Sequence, residues 1–185
     1  LDHFLLEQAA GAGAEVRQGV TVDASELDAD VVVAADGCNG ASAKQLGLGG
    51  GIVHGVALEA NFPREERYAK TMTLDIGCVR GGYGWIFPKG DHVNVGVGGN
   101  ASEGPKLRGA LRRMCEAYGV DPDEATETRG YRLPLRTAAT TLVRGNAAAI
   151  GDAAGLVDPF SGDGMYEAFL SAKLVADAIR ADNLP

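Results

Sequence analysis

Apolar residues recur at helical spacing in some stretches of this chain and run without interruption in others. Leu1, Phe4, Leu5 and Ala9 fall on one side of a helix that Gly11 and Gly13 would close, which predicts a helix over residues 1–12. Glu15–Val22, rich in Val and Thr, reads as a strand. Asp30–Ala35 lacks polar alternation, the pattern of a strand buried on both faces in a parallel sheet. A glycine-rich connector, Gly47–Gly51, then separates this part from one of different character. Ile52–Phe62, Tyr68–Gly77, Gly82–Pro88 and His92–Gly99 are β-rich and divided by turn signals such as Lys89-Gly90-Asp91, which predicts an antiparallel sheet. A helix is expected from about Glu103 to Tyr118, with Leu107, Leu111, Met114 and Cys115 on one face and Gly119 as its stop. Tyr131–Leu135 reads as irregular. Ala147–Ile150 is a second short buried strand, and Met165, Phe169, Leu170, Leu174 and Ile179 mark one side of a final helix. The fold class is therefore α/β, interrupted by an antiparallel insert, with expected segments 1–50, 51–135 and 136–185.

Composition narrows the chemistry. The formal charge is −8, from 17 basic and 25 acidic residues, and Arg108, Arg112 and Arg113 form the one basic cluster, on the helix expected over Glu103–Tyr118. This balance argues against nucleic acid as a partner. Cys38, Cys78 and Cys115 lie far apart without a C-x-x-C pair, and His3, His54 and His92 have no ligand spacing. Neither a disulfide framework nor a metal site is expected, and a reducing, cytoplasmic setting follows. No apolar run approaches the roughly 20 residues that span a bilayer, so membrane contact is expected to be peripheral, at the inner face. The chain begins at Leu1, without Met and already inside a helical pattern, and is read as an internal piece of a longer protein.

The stretch GDAAGLVDPFSGDGMYEAF, Gly151–Phe169, is the main candidate site. Asp152 follows the end of a buried strand, where ligands bind in open α/β sheets, and a carboxylate there suits a sugar hydroxyl. Pro159 fixes the chain direction, and Gly162 and Gly164 let backbone approach a flat or anionic ligand. Ser161 or Asp163 is placed to cap the following helix, whose positive end would face that ligand. A plain strand–turn–helix would use such glycines only for tight turns. Two acidic-glycine pairs and a proline in succession favour the ligand.

These residues resemble the second FAD fingerprint of the flavoprotein family that includes the aromatic hydroxylases and the geranylgeranyl reductases. The resemblance implies an incomplete Rossmann-like FAD-binding domain with an inserted antiparallel substrate domain. It assigns cofactor contacts to Gly151, Asp152, Pro159, Gly162, Gly164 and Met165. ADVVVAADGCNGASAKQLGL looks like the family's internal Asp-Gly motif and adds Asp36 and Gly37, and Val22, at the end of the strand expected over Glu15–Val22, is counted with them. The Asp-Gly turn has a structural reading too, in which Asp36 supports Gly37 at positive φ. The family's N-terminal G-x-G-x-x-G has no complete copy in this sequence, and the link from Val22 to Asp30 is shorter than the family's.

In GGYGWIFPKGDHVNVGVGG, Tyr83, Trp85 and Phe87 alternate with Gly84 and Ile86 and so share one face of a strand, while Gly96, Gly98 and Gly99 leave space above the partner strand. Periodicity alone leaves open whether the rings line an apolar groove or fill a core. Tyr-x-Trp-x-Phe-Pro-Lys followed by Val-Gly-x-Gly is similar to the substrate motif of geranylgeranyl reductases, which makes Tyr83, Trp85, Phe87 and Pro88 the implied substrate contacts; actinobacterial members look nearest. The activity so implied is FAD-dependent saturation of C=C bonds in a polyprenyl group, on a geranylgeranyl lipid or a menaquinone side chain, with electrons from NADPH or a ferredoxin. A monooxygenase or halogenase of the same superfamily, and a non-catalytic FAD-domain remnant, are the alternatives. No catalytic residue stands out: Tyr83 and Tyr166 are proton donors on chemistry alone.

Overall fold

The computed structural model describes residues 1–182, so the last three residues of the expected 136–185 segment lie outside the described residues. Two sheets organise the chain. Helix α1 (Asp2–Gly11) precedes strand β1 (Val32–Ala34) and a one-turn helix α2 (Ser42–Gln45). The next strands, β2 (Val53–Pro63), β3 (Thr73–Ile76), β4 (Tyr83–Pro88) and β5 (His92–Asn100), lead into helix α3 (Leu107–Tyr118) and strand β6 (Thr126–Leu135). Strands β7 (Val143–Arg144) and β8 (Ala147–Ala149) and helix α4 (Met165–Arg180) complete the order.

The small sheet has the order β1-β8-β7, with β1 and β8 parallel in the register Val33 opposite Ala148. Its alanines are nearly closed to solvent, Ala34 at 1% and Ala148 at 0% exposure, as an uninterrupted apolar run requires. The large sheet has the order β3-β4-β5-β2-β6 and is antiparallel throughout. Its period-2 pattern sends Val93, Val95, Val97 and Ile86 to one face, where α3 covers them with Leu107, Leu111, Met114 and Cys115. Gly119 ends α3 in the left-handed conformation at φ 68°, as its sequence position predicts.

Four local expectations are corrected. Glu15–Val22 forms no strand: its residues are exposed and pair with no strand among the described residues. Tyr131–Leu135 is not irregular but the end of the ten-residue strand β6, paired with β2 at the sheet edge. An edge strand tolerates Pro134 and the charges of Arg129 and Arg132, which is why the stretch lacks a strand signature. Of Tyr68–Gly77, only Thr73–Ile76 is strand, and Tyr68 ends a 3₁₀ turn. Residues Ala101–Lys106, containing Pro105, are 3₁₀ rather than the start of α3. The apolar side of α4 exists as expected but faces solvent: Met165, Phe169, Leu174 and Ile179 are all exposed.

Candidate functional site

The carboxyl ends of β1 and β8 lie side by side, with the Ile150 N–H bonded to the Ala34 carbonyl. Asp36 and Asp152, far apart in sequence, therefore emerge at one edge of the small sheet. Their surroundings differ. One Asp36 carboxylate oxygen accepts from the Ser42 N–H at 2.9 Å and the Ser42 hydroxyl at 2.7 Å. Burial works to raise its pKa, but these bonds prevail and hold it below the usual carboxylate range. A Cβ on Gly40 would lie 2.0 Å from Asp36 Cγ, so that glycine makes room for the carboxylate. Gly37 sits at φ 76°, as the turn reading requires. Asp36 is thus engaged in holding the start of α2.

The Asp152 carboxylate has no hydrogen-bond partner among the described residues, and burial alone pushes its pKa up. A Cβ on Gly164 would stand 2.8 Å from its Oδ1, so glycine is needed where the carboxylate meets the start of α4. Gly151, at φ 53°, brings Ala168 close: a Cβ on Gly151 would lie 3.2 Å from the Ala168 Cβ. Its N–H donates to the Ser171 hydroxyl at 3.0 Å, which in turn donates to the Glu167 carbonyl at 2.7 Å. Ser171 thereby ties α4 to the end of β8. A lone serine within a helix carries no sequence signal for this.

Between them runs the loop Val157–Gly164. Asp158 Oδ1 accepts from the Phe160 N–H, the Ser161 N–H and the Ser161 hydroxyl at 3.1, 2.6 and 2.7 Å, and its carboxyl is held low by these bonds. The N-cap of α4 is Gly164, which has no side chain to cap with; Asp163, one residue earlier, accepts from the Met165 N–H at 3.0 Å through Oδ1, while Ser161 Oγ accepts from the Asp163 N–H. Gly162, at φ 74°, lies against the Tyr83 hydroxyl and Leu133. The Tyr83 hydroxyl donates to the Ser161 carbonyl.

That bond joins the loop to the large sheet. The sheet face away from α3 carries Tyr83, Trp85 and Phe87, and it borders an apolar groove of about 850 Å³ that the loop Val157–Asp163 closes at one end. Rings 83 and 85 are 5.9 Å apart and tilted by 57°, and rings 85 and 87 are 6.2 Å apart at 29°. The aromatic stripe is therefore groove wall, and Gly84 and Ile86 fill the core instead. Space above β5 is divided: Gly98 lines the groove, but a Cβ on Gly96 would stand 2.1 Å from Trp85 Cζ2, so the indole occupies the room that Gly96 leaves. Gly99 is packed against Val79 and the Arg80 carbonyl.

The groove thus gathers Tyr83, Trp85 and Phe87 with Pro159 and Gly162. Pro88 ends β4 beside it, opposite Val93. Asp152, Gly151, Gly164 and Met165 lie behind the loop rather than in the groove wall, and Val22 stands exposed in the unpaired segment. Of the two tyrosines singled out on chemistry, Tyr83 lines the groove, whereas Tyr166 is 66% exposed on α4. Burial first, then Asp158, pushes the Tyr83 phenol up, so it keeps its proton at neutral pH. Sequence reasoning missed Asn94, Leu133, Glu59 and Tyr131, which also line the groove; the Tyr131 hydroxyl donates to Glu59 Oε1 at 3.0 Å. Their alternation along β2, β5 and β6 is readable only once the pairing is known. Among the described residues no cluster of His, Cys, Asp and Glu could hold a metal, and no helix is long and apolar enough to cross a membrane.

No family model matches the chain. It is 31% identical over 172 residues to a protein named geranylgeranyl diphosphate reductase from Synechocystis sp., covering 88% of this chain and 42% of that one. It is 28% identical over 189 residues to a digeranylgeranylglycerophospholipid reductase from Methanospirillum hungatei, covering 94% and 44%. A solved geranylgeranyl bacteriochlorophyll reductase-like protein from Thermoplasma acidophilum superposes with a TM-score of 0.68 at 21% identity, over 84% of this chain and 43% of the other. A flavin-dependent halogenase gives the same TM-score at 22% identity, over 96% and 38%. The chain spans about half the length of the relatives it matches. In sequence it is similar to proteins named as geranylgeranyl reductases, and it shares its fold with a solved geranylgeranyl bacteriochlorophyll reductase-like protein and a flavin-dependent halogenase.

Proposed function

We propose that this chain supplies the substrate groove and the second FAD motif of a reductase that saturates C=C bonds in a polyprenyl group. In this reading residues 51–135 serve the substrate, and 1–50 and 136–185 serve FAD. The observation that carries it is the shared wall: the loop Val157–Asp163, which leads from the Asp152 strand end to α4, also closes a groove lined by three aromatic rings.

The residues present fit FAD. Asp152 is a half-buried carboxylate without a donor among the described residues, suited to sugar hydroxyls, and it sits at the start of α4, where the first-turn N–H groups beyond the one held by Asp163 favour anionic phosphate. Once bound and reduced, FAD supplies hydride. The protein must then align an alkene that has no carbonyl to polarise, so positioning is the larger part of catalysis. Tyr83, Trp85 and Phe87 hold the chain flat along β4 and exclude water. Tyr83, whose protonated hydroxyl donates to the Ser161 carbonyl and lines the groove, is the candidate for supplying the proton to the second alkene carbon.

The relatives' names, geranylgeranyl diphosphate reductase and digeranylgeranylglycerophospholipid reductase, support a prenyl substrate. The oxygen-using alternative draws on the shared fold of the halogenase, and the long aromatic groove favours the reductase over it. The deciding experiment reduces the flavin-loaded protein under exclusion of oxygen and adds a geranylgeranyl lipid or menaquinone. Flavin reoxidation with a gain of hydrogen in the lipid by mass spectrometry is the expected result. Reoxidation only after oxygen enters, with both lipids unchanged, overturns the reading.

A further inference from the structure

We propose that Asn94 is a positioning residue of the groove, acting through Trp85; this rests on the polyprenyl reading above. The indole N–H of Trp85 is a donor with no acceptor capacity and has to find a partner when its ring is partly buried. That partner is the Asn94 side-chain oxygen, at 2.8 Å. Asn94 is only 6% exposed, a polar side chain between Val93 and Val95 of β5, both fully packed in the core face. Its amide nitrogen donates to Asn61 Oδ1 at 3.0 Å, and the Asn61 amide nitrogen donates to Glu127 Oε2 at 3.2 Å. Donors run in one direction from the indole to a carboxylate, an arrangement in which each bond polarises the next.

The terminus of this chain is itself built. β6 bulges where its register with β2 shifts between Glu59 and Asn61, and Glu127 there adopts φ 47°, rare for a residue with a side chain. The bulge directs the Glu127 carboxylate at Asn61. At the other end, Gly96 lets the indole lie down on β5, since any side chain there would meet the ring. Gly96 thus sets how low the ring lies and Asn94 sets its rotation about the strand. Trp85 is the middle of the three rings, so its tilt fixes the width of the groove for an extended apolar chain.

Trp85 is the sole tryptophan of the 185 residues, so its near-ultraviolet circular dichroism and fluorescence report this one ring. Asn94→Leu keeps the size and removes the acceptor; Asn94→Asp retains an oxygen for the indole in either protonation state. Asn61→Ala breaks the second link without touching the groove and guards against a misfolded Asn94→Leu. The expected outcome is a weakened Trp85 dichroism band in Asn94→Leu, partial weakening in Asn61→Ala, and recovery in Asn94→Asp. Geranylgeraniol affinity, followed by Trp85 quenching, should fall by about tenfold in Asn94→Leu, the loss of one buried hydrogen bond, and return in Asn94→Asp. An unchanged dichroism band and affinity in folded Asn94→Leu, or equal losses in Asn94→Leu and Asn94→Asp, would overturn the assignment. If geranylgeraniol does not bind the unsubstituted protein, the polyprenyl reading fails, while the dichroism still decides whether Asn94 holds the ring.

Discussion

At the scale of single residues, Asp36 and Asp152 show how two carboxylates at one sheet edge diverge. Two bonds from Ser42 keep Asp36 ionised and committed to α2, whereas Asp152 is held half-buried against the start of α4 with no partner. Because burial raises the Asp152 pKa, its folded form binds a proton more readily than the unfolded chain. In the flavin-free protein the Asp152 contribution to stability should therefore fall as pH rises from the unfolded carboxyl range, about 4, through the higher folded value, opposite in sign to the contributions of Asp36 and Asp158, which are held low. Asp152→Asn is expected to remove that dependence, leave the neutral-pH Tm no lower, and yet release flavin. Tm against pH and flavin retention after desalting check both halves, and full retention of flavin by Asp152→Asn would defeat the cofactor role proposed for it. Cys115, fully buried, has its thiol pushed up to about 11 by burial. It should resist alkylation in the native protein while exposed Cys78 reacts, a difference that peptide mass spectrometry resolves and that vanishes in denaturant.

At the scale of elements, the two faces of the large sheet have different duties although neighbouring strands supply both. Ile86 is 0% exposed against α3, while Leu74, on the paired strand and the opposite face beside Trp85, is 53% exposed. Ile86→Ala should cost about 2–5 kcal/mol of stability through the cavity it leaves, whereas Leu74→Ala should change it by no more than about 0.5 kcal/mol. Urea unfolding of the two variants measures the contrast. Similar losses would mean that the groove face is packed as tightly as the core. Strand alternation was legible in β5 because polar or small residues fall at every second position, and in β4 because aromatic rings do. β6 was not, since an edge strand with Gly130, Pro134 and several charges has neither the composition nor the alternation of a central one.

For the whole molecule, the segment after β8 meets the large sheet twice: at the end of β6, where Leu135 bridges Leu156 and the Val157 N–H donates to the Pro134 carbonyl, and at the groove wall, where the Tyr83 hydroxyl donates to the Ser161 carbonyl of the loop. Tyr83→Phe is expected to weaken flavin retention and prenyl-lipid affinity together, because the loop borders both. Phe87→Ala, at the other end of the ring series, should weaken lipid affinity alone. Flavin retention and lipid titration on the same two preparations separate these outcomes, and a flavin effect of equal size in Phe87→Ala would show that the groove and the loop are not linked through Tyr83.

Local pattern was enough for the parallel buried strands, the antiparallel insert and the α3 stop at Gly119, because each depends on periodicity or on backbone freedom at a named position. It placed Tyr83, Trp85 and Phe87 on one face but left open which face. A period of two states that side chains point the same way, and only the docking of α3 on the Gly84 and Ile86 side turned the rings toward the groove. The absence of a strand at Glu15–Val22, the pairing of β6, the Asn94–Asn61–Glu127 chain and the bond from Tyr83 to the loop all join residues distant in sequence or depend on a partner edge. Hydrogen-bonding capacity is carried by the residue, but its use is decided by what the fold brings within about 3 Å.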